Sequence, residues 1–179
     1  MKYIITTIPF FNYKFCPNIY KIIFIPPNIR NEIKILYRNG LTDYLTNICQ
    51  HIEINKYHKL YDIFIQEQND LYQITDATHF ILINCSVIIN NEVIQHCKKN
   101  NISLLNIHPG YIDNIGRFPL IKSLKTNNYG IFCHEVSNII DDTRNILYKY
   151  NIEIQNNQEG LDFIKTKTEY IISQIGRFQ

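Results

Sequence analysis

The sequence predicts an α/β domain with a mostly parallel central sheet flanked by helices, and three adjoining stretches carry that expectation. His79 to Asn84 and Ile102 to Ile107 are nearly continuous apolar runs, the pattern of strands buried on both faces. Between them, Asn91 to Asn100 places Val93, Ile94 and Cys97 on one helical face and ends on Lys98-Lys99-Asn100, cations suited to a helix C-terminus. Two such strands joined by one helix make a βαβ unit, so the strands should run parallel under cover on both sides.

The flanking segments extend the pattern. Lys2 to Ile8 is a β-branched run closed by Pro9, and Lys21 to Ile25 is another closed by Pro26-Pro27. Ile29 to Gln50 fits strand or helix equally, with Ile33, Leu36, Leu41, Leu45 and Ile48 interrupted by Gly40. Tyr57 to Gln66 spaces Leu60, Tyr61, Ile63 and Phe64 near the helical period. Past the second buried strand, a loop to Gly116 leads to a helix over Pro119 to Lys125 with proline in its first turn, and Asn127-Asn128 forms a turn. Gly130 to Val136 reads as a strand. Ile146 to Ile154 alternates, with Ile146, Tyr148, Tyr150, Ile152 and Ile154 on one face, and Glu159 to Ile175 closes as an amphipathic helix through Leu161, Ile164, Tyr170, Ile171 and Ile175.

A chain of 179 residues suits one domain, 1–179, and an apolar fraction of 45% with 19% charged residues argues for a folded core. The net charge of +2 is spread along the chain, which gives no basis for nucleic-acid binding and favours a small-molecule substrate or a protein partner. Met1 to Pro9 is too short for a signal segment and no apolar run reaches membrane-spanning length, so the expected location is cytoplasmic. Cys16, Cys49, Cys85, Cys97 and Cys133 form no C-x-x-C pair and are expected as reduced, inert thiols. His51, His58, His79 and His96 share no metal-ligand spacing, and no metal site is expected.

Chemistry is expected where the strand Ile102 to Ile107 ends, because ligands of open α/β sheets bind beyond the carboxyl ends of the parallel strands. Asn106 and His108 leave that strand two residues apart, so both side chains point to one side. An imidazole moves protons near neutral pH and an amide donates to a developing oxyanion, a pair suited to acyl transfer. Taken alone, the spacing also fits a capped turn and a satisfied polar histidine.

The longer string Leu105-Asn106-Ile107-His108-Pro109-Gly110-Tyr111-Ile112-Asp113-Asn114-Ile115-Gly116-Arg117-Phe118-Pro119 resembles the N-x-H-P-G-Y/L-L-P-x-N-x-G-x-x-P signature of the 10-formyltetrahydrofolate-dependent formyltransferase family. The likeness is greatest to its sugar N-formyltransferases. Upstream, Asn84 to Ile94 stands where the family has G-Y-G-x-I-L-P-x-E-V-L. Downstream, Tyr129 to Val136 is similar to its G-V-T-V-H-E-V strand, and Asp142-Thr143 with Ile146-Leu147 to its D-T-G-P-I-L turn.

The resemblance implies a Rossmann-like formyltransferase core, 10-formyltetrahydrofolate as formyl donor, and a catalytic set of Asn106, His108 and either Asp141 or Asp142. Counting without gaps from His134 selects Asp141, while counting back from the strand Ile146 to Ile154 selects Asp142, which the longer match favours. The family holds its pterin through the backbone of two loops, which implies Cys85, Ser86, Val87, Ile88 and Ile89 together with Ser137 and Ile140. Gly110, Tyr111, Asn114 and Phe118 are the implied substrate contacts, and His134 lies beside the proposed site. The implied activity is formyl transfer to the amine of a nucleotide-linked amino deoxysugar such as a dTDP-sugar, by a monomer or homodimer. A glycinamide ribonucleotide formyltransferase is the second enzyme reading, set back by the absence of a Gly-rich phosphate loop after the first strand. Asn84 and Ser86, standing in place of loop glycines, motivate a third: a member of the fold that binds without turnover.

Overall fold

The computed structural model describes residues 1–7, 20–25, 62–83, 85, 87–113 and 119–177. Seven strands form one sheet: β1 (Lys2–Thr6), β2 (Tyr20–Phe24), β3 (Ile63–Phe64), β4 (His79–Ile83), β5 (Ser103–His108), β6 (Asn128–Glu135) and β7 (Ile146–Glu153). Their spatial order is β3-β2-β1-β4-β5-β6-β7. The pairings β1 with β2, β1 with β4, β2 with β3 and β4 with β5 are parallel, whereas β5 with β6 and β6 with β7 are antiparallel. The chain therefore builds outward from β1 in one direction and from β4 in the other, which is the topological switch of Rossmann-like sheets.

The expected βαβ unit is present. Helix α1 (Asn91–Lys99) carries the chain from β4 to β5 and buries Val93, Ile94 and Cys97, and α2 (Pro119–Thr126) lies between β5 and β6. Its ends are specified locally. Asn90 Oδ1 accepts from the Val93 amide at 2.8 Å, and Asn101, at φ 57°, lets the Asn101 and Ile102 amides fold back onto the Lys98 and Cys97 carbonyls.

Alternation along the strands divides the core in two. Tyr3, Ile5, Phe80, Leu82 and Leu104 pack with α1, whereas Ile4, Ile81, Ile83, Leu105, Ile107, Tyr129, Ile131 and Cys133 pack against α3 (Asn157–Arg177). The buried stripe of α3 is Ile164, Thr168, Ile171, Ile172 and Ile175. The Thr168 hydroxyl is satisfied by the Ile164 carbonyl at 2.8 Å, and Tyr20 donates its hydroxyl to the Ile172 carbonyl at 2.8 Å.

Several expectations need correction. Ile63 and Phe64 belong to a strand, because a backbone ladder with Ile23 and Phe24 overrides their helix-like spacing. Residues 57–61 and 29–50 lie outside the described residues. Tyr170 is exposed, one helical step off the buried stripe, with Lys167 Nζ and Tyr150 beside its ring. Ile152 shares the face of Tyr148 and Tyr150, opposite Tyr129, but is exposed there, while Tyr148, Tyr150 and Ile154 are packed as expected. Asn127 makes the predicted turn at φ 57°, but Asn128 already pairs in β6. Cys97 and Cys133 are buried free thiols, pushed up to about 11 and about 12 by burial; Cys85 is half-buried, and Cys16 and Cys49 lie outside the described residues. No helix among the described residues is long and apolar enough to cross a membrane.

One contact shows how closely α3 is seated on β6. The ring of fully buried Tyr129 occupies the space where a side chain on Gly160 would begin, 2.4 Å from an added Cβ, and its hydroxyl donates to Asn157. Gly160→Ala is expected to destabilise the fold by about 1–3 kcal/mol through overpacking, read as a lower midpoint in thermal or urea denaturation.

Candidate active site at the end of the fifth strand

β5 delivers the candidate pair. Leu104, Asn106 and His108 alternate onto the α1 side of the sheet, as their spacing predicts. Antiparallel β6 places His134 directly opposite Asn106 and Phe132 opposite His108. These cross-strand neighbours share the same face. Phe132 is buried beneath both imidazoles, with centroid distances of 4.8 Å to His108 and 5.5 Å to His134. The register between β6 and β7 slips at Cys133/His134, and bulges of this kind re-aim side chains beside functional sites.

Asp141 completes the group. Its Oδ1 lies 3.0 Å from His108 Nδ1 and 3.4 Å from Asn106 Nδ2, and both carboxylate and imidazole are more than nine-tenths buried. A carboxylate accepts at Nδ1, so the hydrogen of the neutral His108 ring sits there and Nε2 is its basic nitrogen. The ring edge carrying Nε2 lies against Gly110.

The preference for Asp142 as the partner of His108 is corrected. Asp142 is buried and engaged elsewhere: Arg144 donates Nε to Oδ1 at 2.8 Å and Nη2 to Oδ2 at 2.7 Å, and Ser137 Oγ donates to Oδ2 at 2.8 Å. It also accepts from the Arg144 amide at 3.1 Å, capping a 3₁₀ turn over Thr143–Asn145. These partners, Arg144 first, hold its carboxyl well below the usual carboxylate range. The count back from β7 therefore lands on the residue that caps this turn, and the gapless count from His134 lands on the one that meets His108. Asp141 itself sits at φ 49°, a left-handed conformation that aspartate tolerates better than most residues. The Ser137–Asp142–Arg144 clasp closes the loop behind it.

The remaining expected residues divide as follows. Cys85 and Val87 are half-buried against the α1-side core, which Val136 at the base of the second loop also joins, and Ile89 is buried. Ile88, Ile139 and Ile140 are all more than half exposed, so both loops present bare apolar surface to solvent. Ser137 serves the clasp. Gly110 is buried, and a Cβ there would lie 2.3 Å from that of Pro119, so packing alone accounts for glycine at this position. Tyr111 is half-buried, whereas Ser86, Asn114 and Phe118 lie outside the described residues.

Phe132, Arg144, the structural use of Ser137 and the place of His134 against Asn106 carry no signal in local sequence pattern. His134 is engaged by protein at both nitrogens: Nδ1 lies 3.0 Å from the Glu135 carbonyl and Nε2 lies 3.1 Å from Asn106 Nδ2. Burial holds it below the ordinary imidazole value, outweighing the Glu135 carbonyl and Asp141. The alternation Phe132/His134 opposite Asn106/His108 was the available signal, and it needed the β5–β6 register to be read.

No protein-family model and no curated protein matches the sequence. Solved structures do. A phosphoribosylglycinamide formyltransferase from Streptococcus pneumoniae superposes with a TM-score of 0.61 at 11% identity, over 97% of this chain and 95% of that one. Its counterpart from Bacillus halodurans gives 0.60 at 12% identity, over 99% of this chain and 96% of that one. A Mycobacterium tuberculosis protein described as a candidate sugar N-formyltransferase gives 0.49 at 15% identity over 69% of this chain, which spans 59% of that protein's length. The chain has the Rossmann-like fold of the formyltransferases.

Because the folded pKa of Asp142 is depressed, the clasp contributes stability that is complete above the unfolded value of about 4 and fades as pH falls through the lower folded value. The stability gap between the parent chain and Asp142→Asn, measured by thermal denaturation, should stay constant from about pH 5 to 8 and narrow below about pH 4.

Proposed function

From the formyltransferase fold as premise, we propose that residues 1–179 act as one catalytic domain that transfers a formyl group from 10-formyltetrahydrofolate to the amine of a nucleotide-linked amino deoxysugar. The observation that carries this reading is the His108–Asp141 pair at 3.0 Å with the Asn106 amide on the same sheet face, at the carboxyl end of a parallel strand. The sugar as acceptor rests on the string His108-Pro109-Gly110-Tyr111 through Asn114 and Gly116. Glycinamide ribonucleotide is the second acceptor to test, since the solved structures superposing over almost the whole chain bear that activity in their names.

The donor fits the residues present. Ile88, Ile139 and Ile140 offer apolar surface to a flat heteroaromatic ring, and the backbone of Cys85 to Ile89 and of Ser137 to Ile140 would supply its polar contacts. When bound, the folate supplies the formyl carbon and leaves as tetrahydrofolate. His108 takes the proton released by the attacking amine at Nε2 and returns it to the departing nitrogen. Asp141 holds the imidazole by its Nδ1 hydrogen and stabilises the cation formed on protonation. Asn106 donates its amide to the formyl oxygen as negative charge develops there. Phe132 excludes water beneath the rings and keeps those interactions in a low dielectric.

Incubation with 10-formyltetrahydrofolate and a panel of nucleotide-linked amino sugars, with glycinamide ribonucleotide as comparison, tests the reading through release of tetrahydrofolate. Turnover should fall by about 10²–10⁴ in His108→Ala and Asp141→Asn, and by about 10²–10³ in Asn106→Ala. Asp142→Asn should cost much less activity than Asp141→Asn. Folate binding without turnover on any acceptor would instead favour a binding protein.

A further inference from the structure

His134 makes two hydrogen bonds whose chemistry determines one another. The Glu135 carbonyl, 3.0 Å from Nδ1, can only accept, so the ring carries its hydrogen on Nδ1. The neutral ring then has a lone pair on Nε2, and the group facing it at 3.1 Å must donate. That group is the Asn106 amide, so its NH2 end, not its carbonyl, faces His134. The second Nδ2 hydrogen is directed to Asp141 Oδ1 at 3.4 Å, a donor–acceptor contact that the reversed amide would turn into oxygen facing oxygen. Asp141 Oδ1 stands 4.0 Å from His134 Nε2, too far to take a hydrogen from it.

The groups facing His134 are thus Asn106 from β5, Asp141 from the loop before β7, the Glu135 carbonyl on its own strand, and Phe132 against its ring. Burial to 2% exposure leaves water no ready role in exchanging these partners.

We infer that His134 is a positioning residue: held as the Nδ1–H tautomer by the Glu135 carbonyl, it accepts one hydrogen of Asn106 and turns the other toward the His108–Asp141 pair. An asparagine side chain alone chooses between its two amide orientations with little bias, and His134, through the shorter contact, acts with Asp141 to remove that choice before substrate arrives. The hydrogen left on the Asp141 side makes only a long bond in the resting site, so it is the one a developing oxyanion can claim. This inference rests on the formyl-transfer reading for its kinetic consequence and not for its tautomer.

Nitrogen-15 NMR of the labelled chain reads the tautomer directly. His134 should show a protonated Nδ1 and an unprotonated Nε2; the reverse assignment would overturn the inference whatever the activity. Kinetics supply the second test. His134→Phe should lower kcat by about 10²-fold, the scale of a misplaced catalytic group, with KM for the acceptor nearly unchanged. His134→Gln, which restores an acceptor near the Nε2 position, should recover most of that loss. In an Asn106→Ala background, His134→Phe should cost no more than about threefold, because the residue it positions is gone. Full additivity of the two substitutions would sink the proposal. If the parent chain releases no tetrahydrofolate on any acceptor, the transferase reading fails by itself and the NMR result still decides this one.

Discussion

Burying two imidazoles and a carboxylate beside a half-buried amide is tolerable only if those groups satisfy one another, since an unpaired buried polar group costs about 1–3 kcal/mol. Asn106, His108, His134 and Asp141 do so through a connected set of contacts at 3.0 to 3.4 Å. The contacts bind two strands and a loop into one unit. β5 supplies the amide and one imidazole, β6 the second imidazole, and the turn ahead of β7 the carboxylate. Each polar side chain is therefore both a chemical group and part of the support for the others.

Geometry of this kind needs a rigid frame, and the two sides of the sheet provide it differently. On the far side, Leu105, Ile107, Ile131 and Cys133 are anchored against α3, so the strands cannot shift relative to each other without opening the core. On the near side, Phe132 fills the space under the rings, and the Asp142 clasp holds a loop in which the preceding residue, Asp141, has a left-handed backbone. Adjacent aspartates thus divide the labour: one carboxylate faces the imidazole while the other, paired with Arg144, shapes the turn that aims it.

Much of this was legible beforehand. The apolar runs ending at Asn84 and Ile107 and the helix between them foretold the parallel pair, and the period of two placed Asn106 and His108 on one side. Legibility failed where non-local pairing decides. Ile63 and Phe64 look helical by spacing because two residues carry no strand period, and only the β2 ladder claims them. Tyr170 looks like a core residue until the stripe that α3 buries is known.

The sequence by itself determined the elements whose hydrophobic period is long and unbroken, the extent of α1, and the amide and imidazole that share a strand, because those depend on residues a few positions apart. Only the tertiary structure decided which aspartate meets His108, why His134 stands opposite Asn106, and which way that amide is turned. Those outcomes depend on the β5–β6 register, a bulge at Cys133/His134 and the closure of a loop by Arg144. Each joins residues that local periodicity cannot relate.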